Sequence, residues 1–88
     1  MCEECLKARE ERAETMYRRN HAIQRERTFW ETYEEVLAVD NGLTPRVRAL
    51  LSAYKISAQL LMDAQDAMTL AEENESSCVQ SCLENAED

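Results

Sequence analysis

Glycine and proline each occur once in this chain of 88 residues, at Gly42 and Pro45, and histidine occurs once, at His21. So few breakers exclude a sheet built on many turns, and a single glycine excludes a phosphate loop or a dinucleotide fingerprint. Aromatic residues make up only 6% of the chain. No apolar run approaches the ~20 residues of a membrane-spanning helix. The opening Met1-Cys2-Glu3-Glu4-Cys5 lacks the basic and then apolar regions of a signal peptide, so a cytoplasmic protein with no membrane attachment is expected. Positive charge is missing from one end altogether. All ten Lys and Arg lie in residues 1–55 against ten acids, whereas residues 56–88 hold eight acids and no base, for a net charge of −8. With no net positive field, nucleic acid is disfavoured as a partner, and a protein with a basic surface is favoured.

What the chain has in quantity is helix. Residues 3–39 are free of breakers and rich in Glu, Arg and Ala, which predicts a first helix there. Asp40-Asn41-Gly42 is the strongest turn signal, with the turn spanning 40–44. Thr44-Pro45 then opens a second helix, the hydroxyl capping free N–H groups and the proline sitting in the first turn. Across 45–73, Val47, Leu50, Tyr54, Ser57, Leu61, Ala64, Met68 and Ala71 recur at alternating spacings of three and four, a heptad seam on one face. Asn74-Glu75-Ser76-Ser77 weakens helical propensity, and Ser77 with Gln80 forms a capping box for a short helix in the cysteine-bearing segment 76–83. Residues 84–88 read as an acidic tail. The fold class is therefore all-α: one domain, 1–88, built as an antiparallel helical hairpin.

In helix 1, Leu6, Ala13, Met16, Ile23, Trp30 and Leu37 fall on a three/four seam, with Arg9, Asn20, Arg27 and Glu34 at its other positions. Placing Leu37 opposite Val47 makes facing residue numbers sum to 84. This brings Trp30 to Tyr54 and Met16 to Met68, and sets Arg9 against Glu75, Arg12 against Glu72 and Arg18 against Asp66. Helix 2 retains a second apolar row of Ala49, Ala53, Ile56, Leu60, Ala67 and Leu70, answered on helix 1 by Ala22, Phe29, Tyr33 and Val36. One partner helix cannot cover so wide an arc, and burying each Leu or Ile gains ~1.5–3 kcal/mol. The pattern predicts a homo-oligomer, a dimer forming a four-helix bundle, with Phe29, Tyr33, Ala49, Ala53, Ile56, Leu60, Ala67 and Leu70 as interface residues. The same row could instead dock on another protein.

The four cysteines form the most specific pattern. Cys2 plus Cys82 sums to 84 and Cys5 plus Cys78 to 83, so the hairpin register gathers both pairs at its open end. Three chemistries suit such a cluster. A four-thiolate zinc site would be tetrahedral and would fasten the termini. Two disulfides, Cys2 to Cys82 and Cys5 to Cys78, would do the same covalently. Four reduced thiols would act as small hydrophobes. The layout resembles the twin-cysteine helical hairpins of oxidising compartments, such as the coiled-coil-helix-coiled-coil-helix proteins, although those space the cysteines further apart within each helix.

Catalysis finds no support in the pattern. His21 has no nucleophile or ligand constellation, and no Glu-x-x-His repeat exists for a di-metal bundle. Arg18, Arg19, Arg25 and Arg27 read as a solvated helix face. The expected function is a non-enzymatic, acidic, self-associating interaction module (adaptor, inhibitor or regulator) clamped by its cysteines. A redox- or zinc-responsive protein is the alternative, and a viral-type nucleic-acid mimic is a further one.

Overall fold

A computed structural model describes residues 3–86, with the side chains of all but residues 4 and 86. Two helices account for nearly all of it, and no strand occurs among the described residues: α1 spans Glu3–Asp40 and α2 spans Pro45–Ala86. The expected break at 74–77 is absent. Asn and Ser cost a helix only ~0.5 kcal/mol each, and the three/four row of α2 continues through that stretch, with Glu75, Cys78 and Cys82 half-buried. Packing on the neighbouring helix thus outweighs the weak local signal. The second helix accordingly takes in both the segment 76–83 and the start of the stretch read as a tail.

Packing gathers the chain into two compact units. The turn unit is Asn20–Asp63, an antiparallel helical hairpin. The clamp unit combines the described residues up to Arg19 with those from Ala64 onward.

In the turn unit the reversal is capped from both sides. Asn41 takes the left-handed conformation at φ 53° and donates its N–H to the Leu37 carbonyl at 3.0 Å, closing the end of α1; Gly42 follows at φ 148°. Thr44 Oγ1 accepts the Val47 N–H at 3.3 Å and donates to Asp40 Oδ2 at 2.7 Å. Arg46 closes the loop by pairing with the same carboxylate. This pairing, and then the Thr44 hydroxyl, hold the Asp40 carboxyl below its ordinary range. Val47, directly behind the cap, is fully buried.

The expected seam of α2 is the one that is covered. Val47 and Ser57 in the turn unit, and Met68 and Ala71 in the clamp unit, are buried, with Leu50, Tyr54, Leu61 and Ala64 half-buried. Ser57 is satisfied at that depth by donating to the Tyr54 carbonyl at 2.7 Å.

Helix α1 is rotated by about one residue from expectation. In the turn unit its covered face is Ala22, Glu26, Phe29, Tyr33, Val36 and Asp40, whereas Asn20, Arg27 and Glu34 are exposed. In the clamp unit the covered positions are Cys5, Ala8, Arg12, Thr15 and Arg19, whereas Leu6, Ala13 and Met16 are exposed. The row assigned to a second interface is thus the inner row. Bonding of Cys5 to Cys78 fixes this rotation in the clamp unit. In the turn unit the same rotation buries Phe29, Tyr33 and Val36 and still keeps Ile23 and Leu37 half-covered at the edge.

Two outcomes follow for the turn. Replacing Gly42 by Ala meets no neighbouring atom but must hold a positive φ, so it should lower stability by ~1–3 kcal/mol in chemical denaturation. For Asp40 the folded pKa is depressed, so its contribution is present above the ordinary carboxylate range and is lost as pH falls through the folded value. The stability difference between parent and Asp40→Asn, measured by denaturation across pH, should be constant near neutrality and vanish in acid.

Candidate functional site

The clamp unit carries the cysteine chemistry. Cys5 and Cys78 are disulfide-bonded with Cα atoms 5.6 Å apart, inside the usual range for such a bond. Cys5 is 1% exposed and Cys78 half-buried. Across a sequence separation of 73, the bond stabilises by ~4 kcal/mol in the chain-entropy model. Cys82 is also disulfide-bonded; its expected partner, Cys2, lies outside the described residues. No group of three or more His, Cys, Asp or Glu among the described residues is arranged to hold a metal ion.

Charge supports the same pairing with a different partner choice. Arg12 pairs with Glu75, where Glu72 was expected for Arg12 and Arg9 for Glu75. Arg18 pairs with Glu14 one turn back on its own helix at 2.6 Å instead of with Asp66. The rotation of α1 explains both shifts, because it turns Arg12 inward and Arg18 outward. Arg12, Glu75, Val79 and Leu83 line a shallow groove in this unit.

The turn unit carries the apolar surface. Trp30 lies 5.0 Å from Tyr54 and 5.6 Å from Tyr33, ring centroid to centroid, so the expected aromatic contact forms and gains a third ring, but Trp30 is 40% exposed and sits at the edge instead of on the covered seam. The Tyr54 hydroxyl is hydrogen-bonded to the Glu26 carboxylate, which, with burial, raises the Tyr54 pKa above its ordinary value. Beside this cluster a groove of ≈ 310 Å³ is lined by Arg25, Phe29, Ala53, Ile56, Ser57 and Leu60. Four of these six were expected at an interface. Ile56 is 64% and Leu60 48% exposed, so both stand proud of the recess formed by half-buried Phe29 and Ala53.

The remaining expected interface residues are distributed as follows. Ala49 is exposed and Tyr33 half-buried in the turn unit; Ala67 and Leu70 are exposed in the clamp unit, Leu70 at 58%. His21 is exposed and lines a shallow depression with Gln24, Arg25, Thr28 and Phe29. Sequence reasoning missed Arg25 as the one charged member of the apolar groove, although it lies four residues before Phe29 and therefore on the same helix face. It also missed that Arg12, seven residues from Cys5 and four from Ala8, belongs to the covered row.

Among the described residues no helix is long and apolar enough to cross a membrane. No protein-family model, curated protein or solved structure matches the chain. Intact-mass spectrometry under native and denaturing conditions checks the cysteine chemistry. The expected mass is two hydrogens lower for every disulfide, with no zinc retained in the native spectrum; a zinc adduct with every thiol hydrogen in place would overturn the bonded assignment.

Proposed function

We propose that this chain is a non-enzymatic helical interaction module that pairs with a second copy of itself through the apolar groove of the turn unit, giving a four-helix bundle. The observation that carries this reading is the exposure of Ile56 and Leu60 beside a recess lined by Phe29, Ala53 and Ser57. A two-fold interface needs knobs and holes on one patch, and this patch has both. Charge favours the same unit. Residues 20–63 hold five Lys and Arg against six acids, so two copies meet there with little repulsion, whereas the rest of the chain holds five against twelve.

Compartment is also part of the proposal. The bond between Cys5 and Cys78 supports maturation in an oxidising compartment instead of the cytoplasm, and it supports the disulfide chemistry over a zinc site. An apolar dimer of this kind leaves the acidic clamp unit free to meet a basic partner.

Sedimentation of the full chain tests the reading. The parent should be a dimer whose dissociation constant is insensitive to salt. Ile56→Glu with Leu60→Glu should weaken it by at least about a thousandfold, from ~1.5–3 kcal/mol per buried side chain on both copies, with helix content unchanged. A parent that stays monomeric at high concentration overturns self-association. A mixed complex that forms with a basic protein and dissolves in salt would transfer the role to the acidic unit.

A further inference from the structure

We propose that the clamp unit is a thiol–disulfide switch: a dithiol reductant that cleaves the Cys5–Cys78 bond opens this unit while the turn unit stays folded. The inference is independent of the dimer. It rests on where the bond lies and on how few large apolar side chains are covered around it, with Cys82 bonded in the same unit as the competing clamp.

Both bonded cysteines lie in the clamp unit. There the covered face of α1 beyond Cys5 is Ala8, Arg12, Thr15 and Arg19, with no large apolar side chain, and Leu6 and Met16 point to solvent. The buried apolar groups of the unit are Cys5 itself, Met68 and Ala71. The turn unit covers more and larger apolar groups, a fully buried Val47 with Phe29, Val36, Leu50, Tyr54 and Leu61 half-buried, and its turn is capped by Asn41, Thr44 and Asp40. Units with such different apolar content open at different free energies. The less apolar one is the one that is cross-linked.

Access sets the order of the chemistry. Cys78 is half-buried and Cys5 almost fully buried, so the incoming thiolate attacks Cys78 Sγ. That forms a mixed disulfide and expels Cys5 as thiolate, which takes up a proton. The second thiol of the reductant then attacks its own mixed-disulfide sulfur and releases Cys78, which is protonated in turn. Two electrons pass from the dithiol, which becomes a disulfide, to the pair, which becomes two thiols.

Opening has an electrostatic consequence. Residues 64–88 hold seven acids and no base, and residues 1–19 hold all five cations of this unit. The bond and the Arg12–Glu75 pair keep these segments together. Reduction separates the acidic segment from the five bases of residues 1–19, a segment that carries five acids of its own, and so presents it to a basic partner.

The test uses the full chain with and without dithiothreitol. Hydrogen exchange reads each unit separately, and the emission of Trp30, the sole tryptophan, reads the turn unit alone. Reduction should lower amide protection in residues 6–19 and 64–83 by at least about tenfold with the Trp30 emission maximum unmoved. Cys5→Ala with Cys78→Ala should show the open pattern without reductant. Unchanged protection on reduction overturns the proposal, and so does a Trp30 shift that tracks the clamp unit. If the double variant stays protected until reductant is added, the bond at Cys82 is the clamp and the assignment to Cys5–Cys78 fails.

Discussion

Covering the three-and-four row of α2 is the requirement on which the structure depends. The row carries Val47, Leu50, Tyr54, Leu61 and Met68 at regular spacing, and a helix with such a stripe is unstable in water until another helix lies on it. Helix α1 is an imperfect partner, because its apolar residues are spread around its circumference and part of its covered face is Arg12, Thr15, Arg19 and Glu26. A poor apolar match has to be compensated by devices that fix the second helix in place. The turn unit does this by capping, with Asn41 ending α1 and Thr44 starting α2, each cap worth ~1 kcal/mol. The clamp unit does it with a covalent bond.

Polar groups on the covered face of α1 are accommodated, not merely tolerated. Thr15 donates to the Glu11 carbonyl at 2.7 Å, Glu26 takes the Tyr54 hydroxyl and Arg12 finds Glu75. The two contacts that reach across to α2, Glu26 with Tyr54 and Arg12 with Glu75, favour one rotation and register, whereas the Thr15 bond lies within α1. Apolar packing alone would leave the rotation of α1 less well determined, as the two competing rows of that helix make plain.

Much of this architecture was legible in the residues. Asp40-Asn41-Gly42-Leu43-Thr44-Pro45 announced its turn and both caps, and the row of α2 emerged at the positions its spacing implied. Helix α1 was harder because two rows were equally consistent with spacing, one through Trp30 and Leu37 and one through Phe29, Tyr33 and Val36. The decisive clue lay in the cysteines. Cys5 and Cys78 sum to 83, one short of the sum chosen from Leu37 and Val47, and that single residue is the rotation of α1. Ion pairs went with it, since a rotation of some 100° moves Arg12 inward and Arg18 outward. Continuity of α2 through Asn74-Glu75-Ser76-Ser77 was illegible locally, because burial of Glu75 and Cys78 is a property of the partner helix and not of that stretch.

The disulfide between Cys5 and Cys78 also has a mechanical meaning. A pull applied to the polypeptide on either side of the pair is transmitted through the sulfur–sulfur bond, which shunts the load past the 73-residue separation that it spans. While the bond is intact, the helices and the aromatic cluster between those cysteines bear no tension. Only when this bond and the one at Cys82 are both reduced does the same pull run along the backbone, where it meets the weakly apolar segments of the clamp unit first.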